Sequence, residues 1–299
     1  MKTLKIFGLA LFAAAAFTMT SCNDNELDPC NSVITTSNTE LNDLDRWLLA
    51  NYNRPYNIDF KYRYEDIEGD FNYYLVPCAY DDAVIMAHLV KYLCIETYNE
   101  VAGTDFTCQY FPKMFYTVGE WKYRNNGTFI LGTAEGGRKI FLAGLNYLQS
   151  ALGNAQLLNE HYFKTIHHEF THILNQTKPI PSDFQLITGT GYVGDMWNES
   201  PYQEEHFQNG FISYYSQNSY TEDFAEMLSI YITNTEAQWN TWMNASTTNS
   251  APILQKLDVV RNYMKDSFGI DIDKLRDVLQ RRQTAVVNGE VDLTDLTID

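Results

Sequence analysis

Residues Tyr162 to Leu174 constrain this chain more than any other segment. Tyr162, Phe163, Ile166, Phe170, Ile173 and Leu174 recur at helical spacing. That periodicity calls for an amphipathic helix with one apolar stripe against a core. Thr165, His168 and His172 fall on the opposite side. The pattern runs from about Glu160 to Gln176 and stops before Pro179 and Pro181, residues that cannot continue a helix. Side chains four apart on a helix face the same way, so the imidazoles of His168 and His172 converge on one point. A helix that buries one stripe and aims two imidazoles from the other is suited to hold a metal ion.

The residues between the histidines sharpen this expectation. His168-Glu169-Phe170-Thr171-His172 spells His-Glu-x-x-His, a pattern that implies Zn2+. Glu169 lies one residue round from His168, beside the metal rather than on it, where it can take a proton from water. His167 has Thr171 where a partner histidine would be needed, and His161 lies two turns before His168, too far to share an ion. Both are expected to be structural or supporting, and the lone His88 and His206 are not read as ligands.

Catalytic zinc keeps three protein ligands and one open position. A nearby third histidine is ruled out, because Asn175 and Lys178 occupy the positions that would carry the Gly and His of the longer motif. The run Glu222-Asp223-Phe224-Ala225-Glu226 offers carboxylates instead, with Glu222 and Glu226 four apart on one face. One carboxylate would bind the ion while the other orients a ligating imidazole. Glu222 is the expected ligand, and Glu226 is the alternative. Ser219-x-x-Glu222 also matches a capping box, which would account for the same residues without a metal.

The ends of the chain carry different signals. Lys2 and Lys5 precede an apolar run, Ile6 to Phe17, which reads as a secretion signal too short to span a bilayer securely. Met19-Thr20-Ser21-Cys22 resembles a bacterial lipobox, which makes Cys22 the expected lipidation site. The acidic stretch Asn23-Asp24-Asn25-Glu26 resembles a surface-export signal, so an outer-membrane lipoprotein, facing the cell surface or the periplasm, is the expected location. The expected organisation is a signal at 1–21, an anchored cysteine and tether at 22–38, a catalytic domain at 39–286 and an acidic tail at 287–299. Cys30, Cys78, Cys94 and Cys108 permit disulfides in an exported chain but show no CxxC spacing.

Composition excludes one class of partner. With 38 acidic and 21 basic residues the net charge is −17, and such a surface repels nucleic-acid backbones. Apolar residues make up 45% of 299 residues, enough for a full core. Helices are expected at Leu41–Leu49 and Asp81–Val101, with a strand at Tyr56–Tyr64 that places Ile58, Phe60, Tyr62 and Tyr64 on one face. A hairpin is expected from Lys113–Arg124 and Thr128–Thr133 around Asn126-Gly127, and Lys139–Leu148 reads as either a strand or a helix start. After a long irregular stretch, Ser182–Ser213, helices are expected at Thr221–Asn234, Ala251–Phe268 and Asp271–Arg282. A mixed sheet followed by helices is an α+β arrangement. Gly189-Thr190-Gly191-Tyr192-Val193-Gly194 spells GxGxxG but lacks the strand before and the helix after that a dinucleotide site needs. It reads as a loop, with Tyr192 and Trp197 near a substrate cleft or simply at the surface.

Taken together, Cys22, His168-Glu169-Phe170-Thr171-His172 and Glu222-Asp223-Phe224-Ala225-Glu226 resemble the gluzincin-type zinc metallopeptidases. More narrowly, they resemble zinc-binding metallohydrolase lipoproteins that accompany nutrient-import systems in Bacteroidetes. The resemblance implies a zincin-like fold and a nutrient-import transporter as partner but specifies no substrate; the same residues would serve a peptide, a glycopeptide or a cell-wall peptide. The paired glutamates are also similar to those of the lethal-factor type of toxin peptidase, which favours Glu222 as ligand. That likeness implies that Tyr215, seven residues earlier, stabilises an oxyanion, with Tyr214 and Tyr220 as neighbours able to take the role. The alternative is a non-catalytic surface lipoprotein that binds a nutrient or a transporter on a peptidase scaffold, a reading against which the presence of Glu169 counts.

Overall fold

Alternating burial builds the first strand. Ile58, Phe60 and Tyr62 are buried, whereas Tyr64, the last member of the expected face, is exposed. Only Asp59–Lys61 pairs as a strand, β1. It lies parallel to β2 (Met114–Thr117), with Phe60 opposite Phe115. The computed structural model describes residues 40–69, 72–123, 129–130, 132–135 and 138–298. The leader, Cys22, Cys30 and the turn Asn126-Gly127 lie outside the described residues.

The expected hairpin is divided between two sheets. β2 enters the main sheet, while β3 (Lys122–Tyr123) pairs antiparallel with β4 (Phe129–Ile130) in a separate ribbon. β5 (Gly132–Glu135) and β6 (Lys139–Leu142) complete the main sheet in the order β1-β2-β6-β5. β6 runs parallel to β2, and β5 is an antiparallel edge. The undecided segment from Lys139 is therefore a strand, followed at Leu145–Ser150 by a tight 3-10 turn. Gly144 makes that corner at φ 76°, where an added Cβ would stand 2.3 Å from the Trp121 ring; the backbone conformation and the contact both demand glycine.

Helices fill the rest. α1 (Asp43–Leu48) is closed by a reciprocal capping box between Asn42 and Asp45. α2 (Tyr80–Leu89) continues through a wide turn into α3 (Glu96–Ala102), ending at Gly103 as expected; α4 (Thr104–Tyr110) follows. After the sheet come α5 (Ala155–Leu158), α6 (Lys164–Thr177), α7 (Ser182–Ile187), α8 (Ser200–Glu205), α9 (Tyr220–Thr233), α10 (Glu236–Met243), α11 (Ser250–Phe268) and α12 (Ile272–Val287). All described strands precede this series, so the fold is α+β. The stretch expected to be irregular holds α7, α8 and two 3-10 turns. Helix α12 runs five residues beyond Arg282. The acidic tail packs back on the body: Val291, Leu293 and Leu296 cover core residues, and the Asp295 carbonyl accepts from His88. Residues from Asn42 onward form one compact unit that includes this tail. Cys78, Cys94 and Cys108 are free thiols.

A candidate metal centre between two helices

Helix α6 forms as its sequence requires. Tyr162, Phe163, Ile166, Phe170, Ile173 and Leu174 are all buried. The helical run begins earlier than the periodicity suggests, at α5, because Asn154 caps the backbone N–H groups of Gln156 and Leu157. A wide π turn, Asn159–Phe163, joins α5 to α6. The polar stripe is also covered, since α9 packs along α6. As a result His168 is buried and His172 half-buried. His167 lies in the core with its ring against Tyr98, whose hydroxyl is 3.1 Å from Nδ1. His161 packs edge-on to Trp121.

Packing α9 on α6 brings one carboxylate to both imidazoles. Glu222 Oε2 lies 3.0 Å from His168 Nε2 and 3.3 Å from His172 Nε2, and the two Nε2 atoms are 3.1 Å apart. Ligands held at 2.0–2.1 Å around a tetrahedral zinc stand about 3.3 Å from one another. The three edges lie at or just under that spacing, so the triangle fits zinc with one position left for another ligand. His168, His172 and Glu222 are also the one group among the described residues whose donor atoms converge in this way. The capping arrangement coexists with it. Ser219 Oγ accepts from the Glu222 backbone N–H at 3.3 Å, while the Glu222 carboxylate is free to turn to the histidines.

Glu226, one turn further along α9, holds the other end of His168. Nδ1 of His168 donates to Glu226 Oε1 at 2.8 Å. That bond orients the ring, so that in the neutral imidazole Nε2 is the lone-pair nitrogen facing the triangle. Lys164 donates to both Glu226 oxygens, at 3.0 and 3.2 Å, and Ser213 donates to Oε2 at 2.7 Å. Lys164 and Ser213 were not singled out in the sequence. Lys164 had a legible signal, because it stands four residues before His168 on the same stripe; Ser213 had none.

The charges here call for a cation. Burial raises the carboxyls of Glu222 and Glu226, yet the histidines at Glu222, and Lys164 and His168 at Glu226, outweigh it and hold both well below the usual carboxylate range. Burial likewise disfavours a charged His168, but Glu222 and Glu226 overcome it and push the imidazole up to about 9. A proton shared among these groups occupies the place a metal ion would take.

The remaining expected residues sit around the triangle. Glu169 and His172 line an open cleft of about 520 Å³ with Asn175, Pro179, Tyr220 and Glu222. The Tyr215 ring lies 6.0 Å from that of His168. Burial, and then the nearby carboxylates of Glu222, Glu226 and Glu169, keep its phenol protonated. Tyr214 is exposed and stacks on Trp197 instead. Of the three tyrosines, Tyr215 reaches the histidine and Tyr220 borders the cleft. The GxGxxG run forms 3-10 turns and is tied down as scaffold. Backbone N–H groups of Val193 and Gly194 donate to Gln217 and Asn218, and the Tyr192 hydroxyl donates to Asp223.

A helix bearing two histidines, a carboxylate from a second helix and a further carboxylate orienting one imidazole define the class: a zinc-dependent hydrolytic centre. Comparison with known proteins agrees. Residues 37–273 match a family described as "putative zinc-binding metallo-peptidase", and the chain belongs to that family. It is similar to a solved structure described in the same words, from Bacteroides caccae, at 41% identity and a TM-score of 0.74, covering 89% of this chain and all of that one. No curated protein matches.

Proposed function

We propose that this chain is a gluzincin-type zinc peptidase with a zincin-like fold, cleaving peptide bonds at the cell envelope. The observation that carries the proposal is the His168–His172–Glu222 triangle, with Glu169 beside it at the mouth of the cleft. Zinc, when bound, supplies a Lewis acid that polarises a carbonyl and acidifies water. Glu169 takes the proton from water and passes it to the departing amine. The Tyr215 hydroxyl donates to the oxygen that gains charge. Glu226 orients His168, and Lys164 with Ser213 keeps Glu226 in place.

An extended substrate suits the surroundings. β5 is the edge of the main sheet and lies against α6. Among the described residues only β6 pairs with it, so its other edge can bond an added peptide strand. The lipobox-like Cys22 supports an outer-membrane anchor, and among the described residues no helix is long and apolar enough to cross a membrane. A peptidase so placed would supply peptide fragments to a nutrient-import transporter.

The test is zinc content alongside peptide hydrolysis in the soluble form lacking the leader. Wild-type protein should bind about one zinc per chain, while Glu222→Ala should retain little. Glu169→Gln should keep zinc yet lose about 10²–10⁴-fold in kcat/KM. Unchanged hydrolysis in Glu169→Gln would remove the assigned mechanism.

A further inference from the structure

A second concavity is lined in part by Trp197, the ring that packs against Tyr215. It encloses about 570 Å³, within the range of small-ligand pockets, roughly 300–1,000 Å³. Three aromatic side chains, Trp197, Tyr214 and Trp242, line it together with an unusual share of carboxamides. The side-chain amides of Gln156, Asn198 and Gln238 make no hydrogen bond within the described structure. Asn234 and Gln203 use their NH2 groups on backbone carbonyls, which leaves their amide oxygens to accept.

The charges in this pocket argue against an ionic ligand. Its one lysine, Lys164, is already engaged by Glu226, and a single carboxylate, Glu160, and a single imidazole, His161, stand in the lining. A ligand matched to such walls is neutral, presents many hydroxyl or acetamido groups that both donate and accept, and has flat C–H faces for the rings. That description fits a sugar. The pocket also adjoins the metal centre: Trp197 meets Tyr215 edge-on at 4.9 Å, and Tyr215 is the ring beside His168.

We propose that this pocket binds a neutral glycan carried on the peptide substrate, so that the chain acts on glycopeptides. The inference deepens the peptidase reading and rests on it for the cleavage step, but sugar binding can be tested by itself. Zinc-loaded Glu169→Gln protein would be titrated with Ser- and Thr-linked hexose and N-acetylhexosamine peptides, with the bare peptides, and with the free neutral oligosaccharides. At least one glycosylated peptide should bind about tenfold or more tightly than its bare counterpart. The double variant Trp242→Ala/Gln238→Ala, built in the same background, should abolish that preference. Its zinc content and unfolding midpoint are the controls for a retained fold. Gln238→Ala alone, a milder change, should reduce the preference and serves where the double variant fails to fold. Equal binding of glycosylated and bare peptides across the panel would overturn the proposal, as would a preference that survives both variants. Sugar binding without hydrolysis of any peptide by the wild-type protein would uphold the pocket and defeat the peptidase reading.

Discussion

Neighbouring residues on α9 send their carboxylates to different partners. Glu222 faces the two histidines, and Asp223 faces Lys256 of α11 at 2.6 Å. The second pair is sealed: neither side chain is exposed, Tyr192 donates to Asp223, and Lys256 also donates to the Gly210 carbonyl and lies 3.8 Å over the Phe211 ring. Burial pushes Asp223 up and Lys256 down, and each partner only partly offsets it. At the metal centre the balance is reversed, with carboxyls held low and His168 held high despite burial. A matched pair of fixed charges makes a strut between α9, α11 and the glycine-rich loop. A cluster with surplus carboxylate and movable protons makes a place for a cation.

This contrast can be broken at either end. The largest expected effect is on stability. Lys256→Met leaves Asp223 buried without its cation and should cost about 3–5 kcal/mol in denaturant unfolding. A loss under 1 kcal/mol would mean that the pair is not a strut. Next comes Tyr215→Phe, which should lower kcat about 10²–10³-fold with zinc content and KM little changed; a rise in KM alone would reassign Tyr215 to binding.

Glu226→Gln removes the charge that orients His168 and should weaken zinc affinity about 10–100-fold in competition with a chelator. Unaltered affinity would make Glu226 a packing residue. The last effect is a slope rather than a single loss and concerns His167, which burial pushes down to about 3. The unfolded chain takes up a proton near pH 6.5 that the folded core refuses until about pH 3. Stability therefore falls as pH drops through that window, by up to about 1.4 kcal/mol per pH unit. His167→Gln, compared with wild type in the presence of chelator, should show a shallower slope between pH 6 and 4. Parallel slopes would show that His167 protonates in the folded state.

Local spacing made one half of the centre legible. Two histidines four apart with a buried apolar stripe between them require one geometry, because the helix fixes their direction. The α+β class was also readable, as was the end of the Asp81 helix at Gly103. Errors collected where the chain leaves strong periodicity. The Lys113–Arg124 stretch looks like one hairpin arm, but β2 pairs in parallel with distant strands, and parallel pairing has no local signature. Short helices inside 182–213 and at Glu236–Met243 lie below the length at which amphipathic patterning is distinctive.

The sequence by itself determined that α6 must bury one face and present His168 and His172 from the other, and it placed Glu222 and Glu226 on a shared face. Only the tertiary structure decided which carboxylate meets which imidazole, that Lys164 and Ser213 brace Glu226, and that Tyr215 rather than Tyr214 reaches His168. The physical reason is that helical periodicity fixes direction within one element, whereas distances between α6 and α9 follow from how the two helices pack against each other and the shared core. Packing likewise turned the GxGxxG run into scaffold and left the amide-rich pocket beside the metal centre, neither of which any spacing along the chain encodes.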